Sequence, residues 1–122
     1  MSDFFSTFTP AEIDRITAAG TRVTLPEGWS PIWERTPADK AYVVLSGEVS
    51  IRVKGQEIAR VGAGDIVGEA AIVNGSLRTA SIVALTPLDL LHLSAETVRT
   101  LSAEMPVFRD ALRMRVDERV AG

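Results

Sequence analysis

Residues 64–80, Gly-Asp-Ile-Val-Gly-Glu-Ala-Ala-Ile-Val-Asn-Gly-Ser-Leu-Arg-Thr-Ala, set a glutamate and an arginine around a short apolar turn. An arginine can hold a phosphate in its planar fork, and a glutamate nearby can accept from a sugar hydroxyl. A pocket with both groups suits a nucleotide. Taken singly, each residue has an ordinary alternative. Glu69 at a helix start favours the helix dipole, Arg78 can pair with it at the surface, and Asn74-Gly75 can be a hairpin turn.

Outward from this stretch, the text from Arg22 to Leu93 consists of short β-rich pieces separated by turn residues. Pro26-Glu27-Gly28, Ser46-Gly47-Glu48, Lys54-Gly55, Gly62-Ala63-Gly64-Asp65 and Pro87 punctuate strands near 21–25, 30–34, 42–46, 49–53, 56–61, 79–84 and 89–93. Val49, Ile51 and Val53 alternate with polar residues and are expected to point inward. Short strands at this spacing predict a sandwich or a barrel.

Helices flank the β-rich part. Thr9-Pro10-Ala11-Glu12 predicts a helix start with Thr9 as N-cap, Pro10 in the first position and Glu12 closing a capping box. Ile13 and Ile16 share its buried face and Gly20 stops it, while Phe4, Phe5 and Phe8 read as core or as a staple for that helix. After Ser94, a second N-cap, the chain turns helical again, breaks near Met105-Pro106 and ends in a helix reaching about Val120. Phe108, Ala111, Leu112 and Val116 form its apolar stripe. Arg109, Arg113, Arg115 and Arg119 intersperse with Asp110, Asp117 and Glu118, which reads as a solvated face with local ion pairs. Trp29 and Trp33 are expected to pack against the β-rich part.

The 64–80 stretch closely resembles the phosphate-binding cassette of the cyclic nucleotide-binding domain, the sensor module of catabolite-activator-type regulators, protein kinase regulatory subunits and some channels. Gly68, Glu69, Ala70 and Ala71 match the first half of the cassette, and Arg78, Thr79 and Ala80 the second. The segment from Pro37 to Val49 is similar to the family's earlier strand pair, and residues 62–65 to its turn into the cassette. Two departures stand out: residues 33–37 lack the glycine common before the proline, and Ile66-Val67 replaces a frequent aromatic before Gly68.

The resemblance implies a mainly β fold, a jelly-roll-like β-roll or double-stranded β-helix. An N-terminal helical part (1–20), a roll (21–93) with a short cassette helix, and C-terminal helices (94–122) would form a single domain over 1–122. It assigns Arg78 to the phosphate and Glu69 to the ribose 2′-hydroxyl. Gly68 would permit the bend, Ala70 and Ala71 would let backbone amides approach the anion, Thr79 would add a hydroxyl contact and Ala80 would leave space. Ile51 and Ile58 would line the base pocket from inner strands, and the final helix would supply a lid. A hydroxyl at Thr79 is similar to that of cGMP-binding members. Even so, the implied ligand is cAMP in preference to cGMP, with no other cofactor and no metal.

Composition bounds the rest. At 122 residues the chain suits one folding unit. A net charge of −3 with no basic stripe speaks against a nucleic-acid partner. Without cysteine there is no disulfide, thiolate metal site or cysteine nucleophile; His92 is the single histidine, too few for a cupin-like metal centre, and no nucleophile-elbow sequence accompanies it for a serine-histidine machine. An enzyme is therefore not expected. Neither a signal segment nor a membrane-length apolar run is visible, so the expected compartment is the cytoplasm, without membrane insertion. Met1 and the terminal Ala121-Gly122 read as the ends of a complete gene product. The expected function is a cyclic nucleotide sensor signalling in trans to an unidentified protein partner through its last helix, with homodimerisation through residues 106–120 open to it. The alternative is an interaction or scaffold module that keeps the roll but does not respond to nucleotide.

Overall fold

Helix α1 (Pro10–Ala19) begins at the expected capping box: the Thr9 hydroxyl accepts from the Glu12 amide at 3.2 Å, and the Glu12 carboxylate accepts from the Thr9 amide at 2.8 Å. The computed structural model describes the backbone of residues 4–121 and the side chains of residues 4–116. Met1, Gly122 and the side chains of Asp117, Glu118 and Arg119 lie outside that range. A single 3₁₀ turn over Phe5–Thr7 precedes α1, and Ile16 is the fully buried residue of its inner face.

Among the described residues, seven strands follow in two antiparallel sheets. Strands β1 (Thr21–Leu25), β7 (Leu88–Ser94), β2 (Lys40–Ser46) and β5 (Ile66–Val67) lie in the order β1-β7-β2-β5. Strands β4 (Gln56–Val61), β3 (Val49–Val53) and β6 (Ser81–Ala84) form the second sheet in the order β4-β3-β6. In the β2–β7 pair, Val43 stands opposite Leu91 and Val44 opposite Leu90. Side chains alternate along each strand, so Ala41, Val43, Leu91 and Leu93 join one apolar cluster with the helices. Tyr42, Val44 and Leu90 join a second cluster with Val49, Ile51 and Ile82 of the facing sheet. Burial on both faces explains why residues 41–45 read as an almost unbroken apolar run. The outer strand β4 is exposed along most of its length and carries Glu57 and Arg60, charges that discourage further pairing at a sheet edge. Lys54 and Gly55, both at positive φ, make the two-residue turn between β3 and β4.

Beyond β7, the Ser94 hydroxyl accepts from the Thr97 amide at 3.0 Å and starts α3 (Ala95–Glu104). Met105 interrupts the helix and Pro106 opens α4 (Pro106–Ala121). Phe108, Ala111, Leu112 and Val116 are all buried, as the stripe requires. Phe108 stacks on Phe8 with centroids 6.2 Å apart and meets Phe4 edge-on at 5.8 Å, tying the start of α4 to the segment before α1. The whole is an antiparallel β-roll with flanking helices.

Four local expectations change. Residues 30–34 do not form a regular strand; only an isolated bridge joins Ile32 to Ile82, because Pro31 offers no amide and the Ser30 hydroxyl bonds the Ile82 carbonyl instead. Trp29 and Trp33 do not pack on the roll: they are 61% and 62% exposed, and Ile32 between them takes the inward position. Val53 is only half-buried at the end of β3, while polar Ser50 is fully buried and donates to Glu57 at 2.7 Å. Arg115 does not belong to a solvated face, since it pairs with Asp65 on the roll.

Candidate functional site

Strand β5 delivers the chain to Gly68, where a left-handed turn (φ +84°) redirects it into the short helix α2 (Glu69–Asn74). A side chain at position 68 would be strained by that φ, and its Cβ would lie 2.6 Å from Ile32 Cδ1 and 3.0 Å from Arg78 Nη1. Glycine therefore permits both the turn and the close approach of Arg78. Directly after the turn, Glu69 is the first helical residue and is fully buried, with Ala71 and Ile72 buried behind it. Gly75 (φ +63°) caps α2, so Asn74-Gly75 is a helix terminus and not a hairpin turn.

The chain then returns to Arg78, whose backbone is clamped in both directions: its amide donates to Thr36 O at 2.9 Å, and its carbonyl accepts from the Arg35 amide at 2.8 Å. Its guanidinium donates to the carbonyl oxygens of Gly68 and Lys40 and lies 3.8 Å from Asp39. The residue is only 5% exposed. Burial pushes the Arg78 guanidinium below its ordinary pKa, while Asp39, Glu69 and Tyr42 act in the opposite sense. An arginine stays protonated in a protein, so the result is a buried, oriented cation. Tyr42 feels the same surroundings: burial first and then Asp39 raise its phenol, and Arg78 lowers it.

Arg78 and Glu69 open on a cavity of about 240 Å³. All seven residues assigned to the cassette (Gly68, Glu69, Ala70, Ala71, Arg78, Thr79, Ala80) line it, and so do Ile51 and Ile58. Ile58 is well exposed and therefore stands at the rim, whereas Ile51 is buried. Sequence reasoning missed Ile32, Asn74, Ile82 and Val116, which also line the cavity. Ile82 was accessible through strand alternation two residues after Ala80; Ile32 was not, because its bridge is non-local. Val116 brings α4 to the cavity, in the place where a lid was expected from the last helix. The arrangement combines a fixed cation and a buried carboxylate with isoleucine walls, which fits a ligand with an anionic group, a hydroxyl and a flat apolar part. Among the described residues no cluster of His, Asp and Glu that could hold a metal occurs. Likewise no helix is long and apolar enough to cross a membrane.

Comparison with known proteins agrees with this geometry. The chain is 30% identical over 105 residues to the Pycsar effector protein PaPycTIR of Pseudomonas aeruginosa, an alignment that covers 84% of this chain and 34% of that protein. It is 27% identical over 108 residues to the CRP-like cAMP-activated global transcriptional regulator of Mycobacterium tuberculosis, covering 84% of this chain and 48% of the regulator. The chain thus spans less than half the length of either relative. The catabolite activator protein of Thermus thermophilus superposes with a TM-score of 0.85 at 26% identity, over 98% of this chain and 59% of that one. Residues 22–105 match the model of the cyclic nucleotide-binding domain, and the chain, a β-roll with flanking helices, belongs to that family.

Proposed function

We propose that this chain is a cyclic nucleotide sensor that binds cAMP in preference to cGMP and signals in trans to a protein partner through α4. The observation that carries the reading is the buried Arg78 guanidinium, held by the Gly68 and Lys40 carbonyls at the wall of a cavity that also contains Glu69. A buried cation fixed in this way is set for a cyclic phosphate, which needs a charged fork to offset its desolvation. Glu69 accepts from the ribose 2′-hydroxyl, Thr79 adds a hydroxyl, and Ile32, Ile51, Ile58 and Ile82 face the base. Isoleucine walls favour adenine, because guanine brings additional polar groups that would need partners. Output runs through α4, whose Val116 touches the cavity while Phe108 and Leu112 anchor it in the core. The domain acts by binding, not by catalysis.

Calorimetric titration with cAMP and cGMP tests this. The wild type binds cAMP more tightly than cGMP, Arg78→Ala and Arg78→Lys lose the isotherm while circular dichroism shows them folded, and a hundredfold excess over Kd stabilises the wild type by about 2.7 kcal/mol. A folded wild type that binds neither nucleotide at millimolar concentration overturns the reading and favours the interaction module that does not respond to nucleotide.

A further inference from the structure

Arg115 reads as one of several surface charges on the last helix, but its surroundings differ from those of its neighbours. Its Nε lies 3.1 Å from Asp65 Oδ1, and the two side chains are only 12% and 19% exposed. Arg109, by contrast, pairs with adjacent Asp110 in a largely exposed position. Asp65 is a firm anchor. Its Oδ1 accepts from the Ile66 amide at 2.8 Å, its carbonyl accepts from the Val44 amide at 2.8 Å, and Val44 in turn accepts from the Gly64 amide at 2.7 Å. The backbone of Asp65 is thus fixed to the central strand β2 and its carboxylate to the start of β5, three residues before Gly68.

Next to Arg115, Val116 is 3% exposed and lines the cavity. It belongs to neither of the two apolar clusters; the helix-side cluster extends along α4 as far as Leu112. The helix-side core positions α4 as far as Leu112, and one turn further on the Arg115–Asp65 pair ties the helix to the roll. An ion pair that is mostly out of solvent and has one partner already fixed by backbone bonds is stronger than a freely exposed pair.

We infer that Arg115 is a positioning residue for the ligand: its pair with Asp65 latches α4 to the turn before the cassette and seats Val116 over the cavity. This rests on the cavity being a nucleotide site. Opening the latch withdraws Val116 from the wall, so the pair slows escape of bound nucleotide. By linkage, a ligand that touches Val116 strengthens the latch in return.

The test follows the release of radiolabelled cAMP after an excess of unlabelled cAMP is added, with amide hydrogen exchange on the ligand-free protein alongside. Asp65→Asn keeps an oxygen for the Ile66 amide while removing the charge, and Arg115→Gln removes the other partner. Each speeds release by about tenfold, within the ordinary range of coupling between sites, and leaves the association rate unchanged. The double variant is no faster than either single one, and Arg115→Lys restores slow release. Additive effects, or equal changes in association and dissociation, overturn the proposal. In the free protein, Arg115→Gln accelerates exchange over residues 109–116 but not in β2 or β7. If the wild type binds no nucleotide, the nucleotide reading falls and this exchange measurement still decides the latch; unchanged exchange over 109–116 overturns it.

Discussion

The guanidinium of Arg78 donates to the carbonyl oxygen of Gly68, ten residues earlier, so a single side chain closes the loop that carries α2. The bend at Gly68 aims that carbonyl at the arginine, and the arginine holds the bend. Loss of either residue disturbs both the shape of the cavity and its charge.

Gly68→Ala tests the bend. Alanine would sit at φ +84° with its Cβ 2.6 Å from Ile32 and 3.3 Å from Lys40 O. Left-handed strain and overpacking together cost about 2–4 kcal/mol. Urea denaturation should show that loss, and the variant should bind cyclic nucleotide more weakly than wild type under conditions where both are folded.

Glu69 is fully buried beside the cavity, so its partner in a complex should be identifiable by a paired comparison. Glu69→Gln is expected to weaken cAMP binding by about 1.5–3 kcal/mol, the scale of a hydrogen bond to a charged group. The same substitution should change the affinity for 2′-deoxy-cAMP far less. Calorimetry with both ligands and both proteins gives the coupling directly, and equal losses for the two ligands would remove the ribose contact from the mechanism.

Phe108 fastens α4 to the N-terminal phenylalanines and is completely buried. Phe108→Ala leaves a cavity among Phe4, Phe8 and Leu112, and should destabilise the protein by about 3–5 kcal/mol. Chemical denaturation measures this. Trp33→Ser, at an exposed position, should stay within about 0.5 kcal/mol of wild type in the same experiment.

Acid sensitivity follows from two strand carboxylates, Asp89 on β7 and Glu57 on β4. The hydrogen bond from Arg22 holds Asp89 below its ordinary value of 3.8, and bonds from Ser50 and then Arg60 hold Glu57 below 4.5. A carboxylate with a depressed folded pKa stabilises the fold above its unfolded value, and that contribution is lost as the pH falls through the folded one. Denaturation midpoints should therefore drop as the pH is lowered below about 4.5, and Asp89→Asn should flatten that slope.

Much of this structure was written in local chemistry. The capping box at Thr9 and Glu12, the Ser94 cap, the break at Met105-Pro106 and the Lys54-Gly55 turn each depend on residues within a few positions of one another. The chain carries their geometry whatever it packs against. The cassette was legible because Gly68, Glu69 and Arg78 stand close together in the order that resembles the family's motif, although each residue alone has an ordinary alternative.

Tertiary structure decided what depends on distant partners. Strand periodicity shows that residues alternate but not which strand lies alongside, so the order β1-β7-β2-β5 and the bridge from Ile32 to Ile82 come only with the folded chain. That bridge holds Ile32 inward on the cavity wall, while Trp29 and Trp33 stay in solvent despite their hydrophobicity. Arg115 is the same lesson in charge. Its sequence neighbours make it a surface arginine, and only the return of α4 across the roll brings Asp65 from fifty residues earlier to within 3.1 Å. Sequence by itself determined the helix ends and a sandwich-or-barrel class, since these rest on short-range backbone and side-chain constraints, while the β-roll and the cassette assignment came from resemblance to a known family. The cavity's far wall and the seating of α4 rest on contacts whose partners are remote in the chain, and those exist only once the sheets have closed.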